Sequence, residues 1–145
     1  MKRLSRQLLG KSQEAFLLSL EIYNKPTIQY RLESFCFFFT NAWELMLKAY
    51  LLEGTKSEKS IFYPKEKNKP RKSIAVRDAL KRLFPNEKDP IRKNIEDIAG
   101  LRDSATHLVV QELESVYVGL FQAGVLNYIQ KLKEWFGVSV TEKIS

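Results

Sequence analysis

A chain of 145 residues that is 44% hydrophobic and 28% charged is long enough to bury one core unaided, and its balance is globular rather than disordered or fibrous. Six glycines and five prolines without a repeat period exclude collagen-like and solenoid architectures. The lone cysteine, Cys36, excludes an intrachain disulfide and reads as a small core residue in a reducing compartment. A net charge of +7 and a pI near 9.5 favour polyanionic partners, an argument about association and not about fold.

Met1-Lys2-Arg3-Leu4-Ser5-Arg6 leads into a mixed, charged run rather than an apolar one with a cleavage site. No secretory signal is therefore expected, and the cytoplasm is the expected location. Leu9, Phe16, Leu17, Leu20 and Tyr23 recur at helical spacing while Lys11, Gln13, Glu14 and Glu21 fall elsewhere, which predicts a helix over residues 4–23. Pro26 cannot continue it, and Thr27 is the expected N-cap of the next.

That second helix, expected over residues 28–53 with Gly54 as its stop, is apolar almost all round. Phe35, Phe37, Phe38, Phe39, Trp43 and Leu47 predict central burial or sharing with another subunit. Asn41, Glu44 and Lys48 interrupt it. Three such groups would be expensive at bilayer depth, which excludes a membrane span. Their spacing of three and then four puts them on one face. Two readings stay open: a solvated Glu44–Lys48 pair worth about 0.2–0.5 kcal/mol, or a polar seam lining a cleft.

Residues 54–73 read as a flexible basic connector. Seven basic residues, Lys56, Lys59, Lys65, Lys67, Lys69, Arg71 and Lys72, stand against Glu58 and Glu66, an excess of five out of the chain's +7. Ile61-Phe62-Tyr63 and Ser73-Ile74 are expected to form a small hairpin. A charge run of this kind is either a solvated loop or an electrostatic footprint for nucleic-acid phosphates. In the second case Lys65, Lys67, Lys69, Arg71 and Lys72 are the contacts.

A short third helix is expected over residues 75–83. Asp89-Pro90 then marks a helix start, an N-cap acid followed by proline at the first helical position. Ile91, Ile95 and Ile98 form its buried stripe, and the same spacing lands on Arg102, where a charge at the edge of an apolar stripe needs a partner or a task. The last helix is expected over residues 111–136, with Gly119, Ala123 and Gly124 as flat spots for close approach and Gly137 as its end.

Between these two helices lies Arg102-Asp103-Ser104-Ala105-Thr106-His107, which holds the chain's single histidine. Histidine exchanges a proton near neutrality, and arginine presents a permanently charged fork that fits phosphate. Together they suggest phosphodiester chemistry; alone, such a histidine is as readily a packing residue or a cap. On a straight helix the two side chains would stand about 140° apart, so sharing one cleft requires a break near residues 104–107. No zinc-ligand spacing, phosphate-cradling glycine loop, nucleophile elbow or dinucleotide fingerprint is present, so neither metal nor cofactor is expected.

The chain resembles the HEPN superfamily, small all-α domains many of which are RNases of bacterial toxin–antitoxin, abortive-infection and CRISPR-associated systems. Their signature is an arginine, four to six arbitrary residues and a histidine, often with a polar residue after the arginine; residues 102–107 match its short form. Glu21-Ile22-Tyr23-Asn24-Lys25-Pro26-Thr27, Asn41-Ala42-Trp43-Glu44-Leu45-Met46-Leu47-Lys48-Ala49, Asn86-Glu87-Lys88-Asp89-Pro90 and Leu120-Phe121-Gln122-Ala123 are similar to the recurring phrases of one bacterial family within that group. These stretches cover most of the chain.

The resemblance implies an all-α, HEPN-like helical bundle in a single domain over residues 1–145: two long N-terminal helices, a basic connector, a motif-bearing helix and a long C-terminal helix. Members of the group can carry further C-terminal sequence, and the short tail here then reads as a truncation. The implied activity is metal-independent RNA cleavage through the ribose 2′-OH by a homodimer, in a toxin or phage-defence role, with an antitoxin protein as a further partner. His107 would be the general acid/base and Arg102 the transition-state clamp. Asp103 would orient either of them, and Asn41, Glu44, Lys48 and Thr106 would line the cleft. Members also act as non-catalytic modules that bind RNA or nucleotide, or as dimerisation partners.

Overall fold

The computed structural model describes the backbone of residues 1–104 and 114–140, and the side chains of 1–104 and 117–140. Among these residues the fold is all-α. Its helices are α1 (Arg3–Tyr23), α2 (Arg31–Thr55), α3 (Val76–Leu83), α4 (Pro90–Ser104) and α5 (Glu114–Phe136), with one 3₁₀ turn at Glu58–Ile61. The nearest thing to a strand is a single antiparallel bridge between Phe62 and Ser73. No helix among the described residues is long and apolar enough to cross a membrane.

The first two helices form an antiparallel pair. The start of α1 meets the end of α2, where the Lys2 backbone N–H donates to Glu53 at 3.2 Å. Ser5, Ser12 and Ser19 are fully buried on α1, seven residues apart, as are Ala42 and Ala49 on α2. Such small side chains at every second turn let two backbones come close. The Ser12 hydroxyl reaches the Ala42 carbonyl of α2 at 2.5 Å and also bonds the Tyr128 hydroxyl of α5 at 2.8 Å. One short side chain thereby ties three helices together.

Around that junction lies an aromatic core. Phe16 stacks on Tyr128 with centroids 4.1 Å apart, Phe35 stacks on Phe39 at 5.0 Å, and Trp43 meets Tyr128 edge-on at 5.8 Å. Offset and edge-on pairs of this kind add about 0.5–1.5 kcal/mol each beyond their burial. α2 is central, as its all-round hydrophobicity predicts, and packs against every other helix. Cys36 is buried within it, and burial pushes its thiol up to about 12, with the nearby Glu33 charge adding to the rise. Such a thiol is inert.

Gly124 is where α5 seats against the rest. A Cβ there would stand 2.7 Å from the Ile98 Cδ1 of α4 and 2.9 Å from the Phe39 Cε2 of α2. Of the expected flat spots only this one is used for close approach: Gly119 faces open space, and Ala123 is exposed. Asn94 of α4 strengthens the same junction by donating to the Leu120 carbonyl at 3.0 Å and accepting from Asn127 at 3.2 Å.

The start of α4 follows the sequence closely. Asp89 accepts from the backbone N–H groups of Ile91 and Arg92 at 2.9 and 3.1 Å, satisfying two of the orphan donors of a helix N-terminus. Arg92, buried, pairs with Glu96 at 2.8 Å and donates to the carbonyls of Phe84 and Pro85 at 3.2 and 3.3 Å, closing the turn out of α3.

α2 departs from expectation at both ends. It begins at Arg31 and not at residue 28, and Thr27 is not its cap. Residues 24–30 instead fold into turns, with the Ile28 N–H on the Lys25 carbonyl at 3.0 Å and the Arg31 guanidinium on the Tyr23 carbonyl at 2.7 Å. At its far end Gly54 is still helical. Lys56 takes the left-handed conformation at φ 57°, and its ammonium pairs with Glu53.

Candidate functional site

The motif begins in the last turn of α4. Arg102 is placed favourably there, since a cation complements the negative end of a helix. Neighbouring residues on a helix do not face one another, yet Arg102 lies sideways along the surface and reaches Asp103 with Nε and one terminal nitrogen, both at 3.3 Å from Oδ1. The other oxygen of Asp103 accepts from Arg77 at 3.0 Å. Arg77 sits in the first turn of α3 and Asp103 in the last turn of α4, each with the wrong sign for its own helix end. Their pairing offsets both penalties and joins α3 to α4.

One carboxylate therefore gathers two guanidiniums at the solvent edge of the bundle, and the cluster carries one net positive charge. Arg77 does not stand out in the sequence. It is one of many basic residues, and only the return of α3 against α4 distinguishes it. Thr106 and His107 lie outside the described residues, as does the break expected near residues 104–107.

The polar seam of α2 divides. Lys48 is buried, its side chain 5% exposed, and pairs with Glu44 at 3.2 Å. Its ammonium also donates to the Ser73 hydroxyl at 2.9 Å. The reading of this pair as a solvated strip is thereby corrected: Ser73, returning from the connector, covers the lysine. Asn41 and Glu44 are half-buried on the same face. Among the described residues the seam and the Arg77–Asp103–Arg102 cluster share no hydrogen bond or ion pair.

The connector is pinned at both ends. The Tyr63 N–H donates to the Lys72 carbonyl at 2.8 Å and the Ile74 N–H to Ile61 at 2.9 Å, the minimal form of the expected hairpin. Ile61 and Ile74 enter the core. The Tyr63 hydroxyl donates to Asp78 and accepts from the Ala75 N–H at 3.1 Å, while Arg82 donates to the Ser60 carbonyl.

Of the expected phosphate contacts, Lys65 and Arg71 border a concavity of about 830 Å³ that also takes in Lys59 and Arg82. Lys69 and Lys72 border a smaller one of about 280 Å³, and Lys67 is exposed beyond both. Lys69 is paired with Glu66 at 2.9 Å and Arg71 with Glu58 at 3.4 Å. Among the described residues no group of three or more histidine, cysteine, aspartate or glutamate side chains could hold a metal ion.

No curated protein and no solved structure matches the chain. The family described as Domain of unknown function (DUF3644) matches residues 7–145, nearly the whole length, and the chain belongs to that family.

Proposed function

We propose that this protein is a metal-independent endoribonuclease of the HEPN type, cleaving RNA at a site shared across a homodimer, in a bacterial toxin or phage-defence role in the cytoplasm. The observation that carries this reading is the convergence of Arg77 and Arg102 on Asp103, at the end of the helix from which the motif runs on to His107. Two guanidiniums held at one point suit a phosphate, and stabilising the charge that develops in the transition state often contributes most to such catalysis.

In the proposed reaction one His107 takes the proton of the ribose 2′-OH as that oxygen attacks the phosphorus. The bond to the 5′-oxygen breaks, and a second, protonated His107 gives that oxygen its proton. The products are a 2′,3′-cyclic phosphate and a 5′-hydroxyl. Each positioned acid or base is worth about 10²–10⁴ in rate. A chain with one histidine supplies both only as a pair of subunits. DNA, lacking the internal nucleophile, is expected to be a poor substrate.

The test is incubation with single-stranded RNA in EDTA. Cleavage by the wild type that is lost in His107→Ala and in Arg102→Ala supports the enzyme. RNA binding without cleavage supports a non-catalytic module, the reading that the basic connector favours. A monomer by light scattering at micromolar concentration overturns the shared site. Dependence on an antitoxin protein is tested by co-purification from a host carrying the neighbouring genes.

A further inference from the structure

The concavity beneath the connector has a floor and a charged rim. Phe62, Tyr63 and Pro64 form the floor; Lys59, Lys65, Arg71 and Arg82 stand around it, and no carboxylate lines it. Lys59 and Lys65 make no ion pair among the described residues, so their charges are uncompensated. The Arg71 guanidinium lies over the Phe62 ring, 3.9 Å from its centroid. That stack fixes the plane of the fork while leaving edge N–H groups free to meet an anion.

The walls are pre-set, because the Phe62–Ser73 bridge, the Tyr63–Asp78 bond and the Arg82–Ser60 bond hold them without a ligand. A site that needs little ordering loses little affinity to entropy. Its volume of about 830 Å³ lies within the usual range for small-molecule pockets and is far more than one phosphate fills.

We propose that this concavity binds one nucleotide unit of single-stranded RNA, with the phosphate among Lys59, Lys65 and Arg71 and the base laid on the aromatic floor. Ring faces accept any base, while cations hold the backbone. The inference deepens the proposed function: that the ligand is an RNA strand rests on it, whereas the pairing of phosphate with a flat ring rests on the pocket alone. The site is separate from the Arg77–Asp103–Arg102 cluster and would hold the strand rather than cut it.

The experiment measures fluorescence anisotropy of a labelled 2′-O-methyl oligouridylate, which cannot be cleaved through the 2′-oxygen, on the full chain. Lys59→Gln/Lys65→Gln/Arg71→Gln is compared with the charge-matched control Lys11→Gln/Lys88→Gln/Lys93→Gln. At about 100 mM salt the pocket variant is expected to bind about tenfold or more weakly. The slope of log affinity against log salt should flatten by about two, since each phosphate contact on a single strand contributes about 0.7. The control should move less than about threefold. Phe62→Ala should weaken binding further without changing that slope.

Equal loss in both triple variants, or no binding by the wild type, overturns the proposal. Cleavage of unmodified RNA with unchanged binding in the pocket variant sinks the pocket and leaves the nuclease standing. Absence of cleavage together with the pocket-specific loss does the reverse.

Discussion

Asp103 accepts from Arg77 across the α3–α4 boundary at 3.0 Å while its second oxygen holds Arg102. Both partners of the longer-range pair are more than a third exposed, so its coupling in a double-mutant cycle is expected at about 0.2–1 kcal/mol. Arg77→Gln and Asp103→Asn should therefore melt close to the wild type. Cleavage of RNA in EDTA should respond differently. Arg102→Ala is expected to lose about a hundredfold or more, as a direct charge stabiliser does, and Arg77→Gln less. Unchanged cleavage in Arg102→Ala would end the catalytic reading of the motif.

Gly124 and Gly119 lie on the same helix and should answer oppositely to alanine. At Gly124 the new methyl meets Ile98 and Phe39. Ile98 Cδ1 can swing away, but the Phe39 ring is held by its stack on Phe35. A loss of about 1–3 kcal/mol is expected from such overpacking. At Gly119 nothing lies within 4 Å, and alanine should stabilise by about 0.5–1 kcal/mol through helix propensity. Urea melts of the two variants check both signs.

Lys48 is expected to matter for stability whatever the function. Lys48→Ala leaves Glu44 without its partner and opens a cavity under Ser73, at an expected cost of about 2–4 kcal/mol. Lys48→Met keeps the stem's volume and should cost less. Equal losses in the two variants would show that the charge, and not the packing, decides.

Glu53 gives the fold an acid-sensitive contact. The Lys56 ammonium beside it, with help from the Lys2 backbone N–H, holds its carboxyl down to about 2 against an ordinary 4.5. A lowered pKa in the folded state stabilises above the unfolded value, and that contribution is lost as the pH falls through the folded one. Glu53→Gln should thus lower the melting temperature at pH 7, and the gap to wild type should narrow below pH 4.5 and close near pH 2. A gap that stayed constant down to pH 2 would rule this linkage out.

The helices are legible where local chemistry decides. Asp89-Pro90 predicts the start of α4, and the α1 stripe predicts its span to Tyr23, because caps and periodicity act within a turn or two. The start of α2 is not, because turns across residues 24–30 and the Arg31–Tyr23 contact overrule a local cap at Thr27. At the site, Arg102 and Asp103 stand out by their place in the motif, whereas Arg77 and Ser73 become relevant only through contacts made across the fold. Lys48 shows the same limit: spacing finds its partner Glu44, but only tertiary structure buries it.

The chain has two tryptophans, and each is packed across the seam between α5 and the rest. Trp43 on α2 faces Tyr128 of α5, and Trp135 on α5 stacks on Tyr50 of α2 with centroids 4.2 Å apart. Intrinsic emission is consequently a native gauge of whether the C-terminal helix is seated. Undocking would wet both indoles together, a signal that needs no label and can be followed while RNA or a second subunit is titrated in.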